Sequence, residues 1–275
     1  MTDTMPLKVT LLGTGSPSPS LTRCHPALLV EWGQERRMLV DAGDGVVAQL
    51  LHAGVPLRSI EHVAITHLHW DHVLGYPAFV WGSWSAGRCA LSVWGPTGTR
   101  DMHDRVVAGF YGDQAEWAID IGFAPGGWRD ISVTDISPGW TTELDGCRIQ
   151  AGAVVHPPMA AVAYRFTYGG RSLVISGDTA ACDELVEFSD GADVLVVDAC
   201  ASDPPLDAPP ARQALIERLI EFHASPQQCV DMAGRAGVDR VVLTHHLPEA
   251  RLDHLDRSGF RGKIHVGADL DTIVV

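Results

Sequence analysis

Between Glu61 and Val73 the chain reads His-Val-Ala-Ile-Thr-His-Leu-His-Trp-Asp-His, a β-branched apolar run that delivers three imidazoles and a carboxylate within six positions. A hydrophobic core does not accept that density of polar groups, so the run predicts a strand whose end carries chemistry. In extended chain, alternate side chains share a face, which puts His67 and His69 on the same side. Asp71 and His72 fall at the start of a predicted helix and are free to turn towards a second point. Imidazole nitrogen and carboxylate oxygen together suit borderline metals such as zinc. A solvated polar loop is the competing reading, and the crowding of donors makes it the weaker one.

Further donors stand where predicted strands end. His156 follows Arg148–Val155 and precedes Pro157-Pro158, which stops a strand; alone, it would read as a surface histidine. Asp178 follows Ser172–Ser176 and Gly177, a residue that permits close backbone approach, and it reads equally well as a helix N-cap. His245 follows Arg240–Thr244, with His246 beside it as a competing ligand. His223 precedes a predicted helix over 227–236 and has a surface helix-end position as its alternative.

The remaining pattern supplies a frame for these donors. Strands are expected at Lys8–Leu12, Ala27–Glu31, Met38–Val40, His62–Thr66, Ala90–Trp94, Ile131–Ile136, Ala161–Tyr168 and Val194–Val197, with a hairpin at Tyr168-Gly169-Gly170-Arg171. Helices are expected over 44–53, from the histidine cluster to Phe79, and over 98–110 and 211–221. Strands followed by helices in both halves favour two mixed sheets packed face to face with helices outside, an αββα sandwich, over one parallel sheet. With 275 residues and no linker or repeat, a single α/β domain over 1–275 is expected.

Composition excludes more than it assigns. A formal charge of -14 argues against general nucleic-acid binding, which rests on Lys and Arg clusters. Bound cations would still draw a small anionic substrate to the site. Six scattered cysteines, without a Cys-x-x-Cys pair, predict buried free thiols. No signal peptide or bilayer-length apolar run is visible, so no membrane association and a cytoplasmic location are expected.

His67-Leu68-His69-Trp70-Asp71-His72 resembles the His-x-His-x-Asp-His signature of the metallo-β-lactamase superfamily, and His156, Asp178 and His245 follow in that family's order. The likeness spans nearly the whole chain and is greatest to the branch holding tRNase Z, cyclic phosphodiesterases and arylsulfatase-like hydrolases. Leu12-Gly13-Thr14-Gly15-Ser16-Pro17 and Val40-Asp41-Ala42-Gly43-Asp44-Gly45 resemble that branch's glycine turns. The resemblance implies two divalent ions, zinc first, with manganese or iron also suited to the ligands. One would be held by His67, His69 and His156, the other by Asp71, His72 and His245, with Asp178 between them. Asp41 and Asp198 would hold the outer nitrogens of ligating imidazoles.

His223-Ala224-Ser225 resembles the His-Ser-Thr motif of tRNase Z, which implies a general acid or transition-state stabiliser at His223. The expected activity is hydrolysis of a small, anionic phosphodiester by a hydroxide shared between the ions and oriented by Asp71. A lactonase, an arylsulfatase and a non-catalytic metal sensor are the alternatives. A tRNA-processing member would be expected to carry a long basic arm, commonly between His156 and Asp178, and that interval here is only a hairpin; with the acidic charge, tRNA 3′-processing is not expected. Oligomeric state is not read from the sequence; dimers are frequent in this branch, so the resemblance is compatible with a homodimer.

Overall fold

The computed structural model describes residues 5–200, 209–248 and 255–275. Its frame is a pair of seven-stranded sheets. The first contains β1 (Met5–Gly13), β2 (Ala27–Gly33), β3 (Arg36–Val40), β4 (His62–Ala64), β5 (Leu91–Pro96) and β6 (Ile131–Ile136). The second contains β7 (Thr141–Leu144), β8 (Cys147–Ala153), β9 (Val162–Tyr168), β10 (Arg171–Ile175), β11 (Val194–Asp198), β12 (Arg240–Thr244) and β13 (Lys263–Val266). The chain then returns to the edge of the first sheet as β14 (Thr272–Val274), giving the orders β14-β1-β2-β3-β4-β5-β6 and β13-β12-β11-β10-β9-β8-β7.

Each sheet is antiparallel on one side and parallel on the other. In the first, β14 through β3 pair antiparallel and β3 through β6 parallel. In the second, β7 through β10 pair antiparallel and β10 through β13 parallel. The parallel strands of a sheet end at one rim, and the metal-type side chains follow those ends.

Burial explains why β10 to β12 read as unbroken apolar runs, since parallel strands covered on both faces lack a polar face. Leu173, Ile175, Val194, Val196 and Val242 pack between the sheets with Leu7, Val9, Leu11, Leu28, Val30 and Trp32. Val174, Leu195, Val197, Val241 and Leu243 face the other way, onto Leu185, Val230 and Ala233. Those three residues belong to the helices that cover the second sheet. The outer face of the first sheet packs on Leu50, Tyr76, Phe79 and Val80. The arrangement is the αββα sandwich expected from the pattern.

The helices are α1 (Val46–His52), α2 (Trp70–Val73), α3 (Tyr76–Ser85), α4 (Thr99–His103), α5 (Phe110–Asp120), α6 (Gly126–Arg129), α7 (Asp183–Phe188), α8 (Pro210–Leu219) and α9 (Pro226–Ala236). Where one helix was expected after the histidine cluster there are two, broken at Gly75. An added Cβ at Gly75 would stand 2.2 Å from the Gly43 carbonyl oxygen, so close backbone packing requires glycine there. The helix expected to end near Phe110 continues through a π-helical segment, Asp104–Gly109, into α5. No helix among the described residues is long and apolar enough to cross a membrane.

Candidate metal centre

β4 ends at Ala64; Ile65 still bonds the Trp94 carbonyl through its N–H, and Thr66 is then fixed by side-chain bonds. Thr66 donates through its backbone N–H to Asp41 Oδ1 and through its hydroxyl to Asp41 Oδ2, both at 2.7 Å. Its hydroxyl proton being spent on Asp41, Thr66 Oγ1 accepts from His67 Nδ1 at 3.1 Å. That leaves the lone pair of His67 on Nε2, pointing inward. His72, on α2, donates Nδ1–H to Asp41 Oδ2 at 2.8 Å. His156 donates Nδ1–H to the Phe222 carbonyl at 2.9 Å. Three rings are thus held from outside with Nε2 turned to one cavity, the way anchored metal-ligating histidines are oriented.

The inward atoms converge in two groups. Nε2 of His67 and Nε2 of His156 each lie 3.0 Å from His69 Nδ1. Asp178 Oδ2 stands 3.5 Å from His67 Nε2 and 3.9 Å from His156 Nε2. The other oxygen of the same carboxylate, Oδ1, lies 3.1 Å from His72 Nε2 and 3.4 Å from His245 Nε2. Asp71 Oδ2 completes this second group at 3.2 Å from His245 Nε2 and 3.7 Å from His72 Nε2. Asp178 therefore joins the two groups with one oxygen in each. It is not a helix cap, because α7 starts at Asp183 with Cys182 preceding it.

Gly177 sets that position. Its backbone has φ of 61°, and a Cβ there would meet Thr66 Cβ at 2.6 Å. The close approach brings the Asp178 loop against the His67 loop from the opposite sheet.

The electrostatics call for cations. Asp41, Asp71, Asp178 and Asp198 are all buried. Both Asp178 oxygens, Asp71 Oδ1 and His72 Nε2 have no aligned hydrogen-bond partner despite burial. Unpaired buried groups of this kind are costly, and a cation between them supplies the missing partner. Burial and neighbouring imidazoles hold His67, His69 and His156 below the usual histidine range, so these rings are neutral and their lone pairs are free. For His72, burial alone would lower the value, but the Asp178 and Asp41 carboxylates overcome it and push it up to about 10. His245 is raised for the same reason by Asp178 and Asp198. In these two rings protons occupy the place of positive charge that the carboxylates demand, and the donor set fits a pair of divalent ions.

The Beta-lactamase superfamily domain model matches residues 36–246. The chain belongs to the metallo-β-lactamase superfamily. It is 32% identical over 286 aligned residues to a protein named Ribonuclease Z from Mycobacterium bovis, covering 98% of each. Among solved structures it is similar to the metallo-β-lactamase fold protein YhfI of Bacillus subtilis, with a TM-score of 0.74, 19% identity and 98% of both chains covered. It is also similar to a diphosphatase of the PhnP family, with a TM-score of 0.72, 19% identity and coverage of 98% and 97%. Members of the superfamily are metal-dependent hydrolases.

In this superfamily member the structure brings together all seven residues proposed as ligands from the sequence. His246 stays apart: its Nε2 donates to the Leu243 carbonyl, its backbone N–H to Thr14, and burial with nearby Arg23 pushes it down to about 4. His223, 7% exposed at the edge of the cluster, donates Nδ1–H to Asp198 Oδ2 at 2.6 Å, and Asp198 Oδ1 lies 3.3 Å from His245 Nδ1. Ser225 caps α9 in a reciprocal capping box with Gln228, and the Ala224 N–H bonds the Thr179 carbonyl, so His223 is fixed from its C-terminal side.

The large aromatic side chains of the first half of the chain do not form one wall. Trp70, 49% exposed and edge-on to His25, follows His69 directly. Trp84 is buried, Trp94 packs between the sheets, and Trp81, Tyr111 and Trp117 line a surface groove with Gln114. Thr66, Thr179 and Cys200 also touch the site and were not singled out from the sequence. Isolated hydroxyl and thiol residues carry no spacing signal that would mark them.

Proposed function

We propose that the chain is a two-metal phosphodiesterase acting on small anionic diesters, cyclic ones included. The observation that carries this reading is the split Asp178 carboxylate, one oxygen facing His67, His69 and His156 and the other facing Asp71, His72 and His245. His67, His69 and His156 would hold one ion, and Asp71, His72 and His245 the other. Zinc is the first choice, because imidazole and carboxylate ligands suit it. When bound, such a pair lowers the pKa of water towards neutrality and polarises a phosphoryl oxygen.

The chain's own groups then divide the remaining tasks. Asp71 keeps Oδ1 without a partner, in position to orient an attacking oxygen. His223 gives Nδ1–H to Asp198 and keeps Nε2 for the substrate. Asp198 also holds His223 above the ordinary histidine value against the opposing effect of burial, which favours the protonated ring as donor to a departing oxygen. Trp70 offers a flat apolar wall beside the donors.

The Ribonuclease Z name of the Mycobacterium bovis relative favours a second reading, an RNA phosphodiester as substrate. That relative is spanned over 98% of its length, so it has little room for a long extra arm, and the lack of one here does not separate the two readings. The net charge still favours a small substrate over a polyanion.

One panel decides among these. Turnover of bis(p-nitrophenyl) phosphate, an aryl sulfate, a homoserine lactone and a precursor tRNA would be measured on one sample with its metal content. The proposal expects the phosphodiester to be the best substrate. Faster cleavage of the sulfate or lactone, a preference for RNA, or full metal loading without any turnover would each replace it with a named alternative.

A further inference from the structure

On the Nδ1 side of His245, opposite the Nε2 that faces Asp71 and Asp178, a third set of donors gathers, its His223 Nδ1 also 3.8 Å from Asp178 Oδ2. Asp198, Cys200, His223 and His245 each place one ligand-type atom within 4.8 Å of the others, and all four are buried. Asp198 faces Nδ1 of both histidines, at 2.6 and 3.3 Å. The Cys200 thiol, 2% exposed, lies against His245. Nothing in the proposed phosphodiester chemistry uses this thiol. His245 Nδ1 is buried and, at 3.3 Å from Asp198, lacks an aligned hydrogen bond.

We infer that Asp198, Cys200 and His223, closed by His245, form an inhibitory site for a third, thiophilic divalent ion such as zinc. Thiolate, imidazole and carboxylate together are a zinc-type donor set, and bonds of 2.0–2.3 Å give tetrahedral edges of about 3.3–3.7 Å. The 3.3 Å Asp198–His245 separation already lies in that range, and the 2.6 Å Asp198–His223 pair opens as the ion replaces its proton. Access runs past His223, which reaches the rim of the site, while the other donors lie deeper.

Occupancy has a definite chemical cost. The entering ion must displace the thiol proton of Cys200, the Nδ1 proton that His223 shares with Asp198 and the Nδ1 proton of His245, whose Nε2 faces the second group, releasing all three to solvent. His223 is then tied to metal and no longer free to donate a proton, so binding here stops turnover. Because several protons must be released and the His223 proton is already satisfied by Asp198, whereas the Asp178 oxygens lack partners, the third ion binds more weakly than the resident pair. Inhibition is therefore expected only in excess metal.

The inhibition arm rests on the phosphodiesterase reading, but the binding arm does not. Protein loaded with two ions per chain is titrated with Co²⁺ and Zn²⁺. The expected result is a third ion per chain with a near-ultraviolet thiolate-to-cobalt charge-transfer band, together with zinc inhibition of bis(p-nitrophenyl) phosphate turnover. In Cys200→Ser, with thermal midpoint and two-ion content unchanged, the band is expected to vanish and the inhibitory zinc concentration to rise at least tenfold. Cys89→Ser, at an exposed thiol, is expected to keep the band. If Cys200→Ser does not fold, Cys200→Ala carries the same comparison. The inference is overturned if neither titration adds a third ion, or if the band or the inhibition persists undiminished without Cys200. A chain that bound the third ion but cleaved no phosphodiester would retain this site and lose only the proposed substrate.

Discussion

His72 donates its Nδ1 proton to Asp41 at 2.8 Å, and that carboxylate also takes both the N–H and the hydroxyl of Thr66. One buried aspartate at the end of β3 thereby orients a residue of α2 and, through Thr66 Oγ1, the ring of His67. The two metal-facing groups share this outer support. Losing it should cost metal affinity about 10–100-fold. Asp41→Ala is expected to show that loss in a competitive chelator titration, and its stability should fall because the buried Thr66 N–H loses its acceptor.

His69→Ala removes the nitrogen that lies 3.0 Å from both His67 and His156. Bound metal should fall from two ions towards one per chain by elemental analysis, and activity should be abolished. Full metal retention would show that His69 is not a ligand.

His223→Ala should behave differently, because its ring bonds Asp198 rather than Asp178. Two ions should remain while turnover drops by about 10²–10⁴ on substrates with poor leaving groups, and by less where the leaving group needs no proton. The wild-type rate should fall as pH rises through the elevated His223 value, and this descending limb should disappear in the variant. An unchanged rate on a poor leaving group would remove His223 from the chemistry.

Metal removal should make stability depend on pH in a defined direction. In the metal-free chain, His72 is raised from 6.5 to about 10 and His245 is also raised, both by buried carboxylates acting against desolvation. Their charge pairing is fully present below pH 6.5 and is lost as pH climbs through the folded-state values. The lowered rings of His67, His69 and His156 act below pH 6.5 in the opposite sense, so the alkaline side reports the raised rings, His223 adding to His72 and His245 in the same direction. Thermal midpoints of chelator-treated protein should fall between pH 6.5 and about 10, and those of the metal-loaded protein should fall far less.

Gly177 and Gly169 provide a matched comparison, with φ of 61° and 59°. A side chain at Gly169 meets open space, whereas one at Gly177 collides with Thr66. Gly169→Ala should cost about 1–2 kcal/mol for left-handed backbone and leave metal content unchanged. Gly177→Ala should cost at least as much in chemical unfolding and also lower metal content, because Asp178 is displaced.

The parts of this architecture that were legible in sequence are those where pattern and burial agree. Ile131–Ile136 is the same strand in both readings, and Arg240–Thr244 likewise, because a β-branched run meets a clear stop. β7, β13 and β14 went unread: they are short, and Thr141–Leu144 and Lys263–Val266 mix polar and apolar residues without a long run. The continuation into α5 was hidden by Gly109 and Gly112, which look like a stop but lie within continuous helical structure. The histidines declared themselves by density in one segment and by strand-end placement elsewhere. Thr66, Cys200 and the split of Asp178 between two groups depend on how distant loops meet, which no local pattern encodes.

The two sheets contribute donors that are far apart along the polypeptide, and this has a consequence for the order in which the molecule is made. His67, His69, Asp71 and His72 leave the ribosome about 170 residues ahead of His245, roughly 10–35 s at common elongation rates of about 5–20 residues per second. For most of that interval the nascent chain displays a histidine cluster without the carboxylate that later unites it. Tight, selective ion uptake must therefore be a late event in biogenesis, coming after the second sheet has closed over the first.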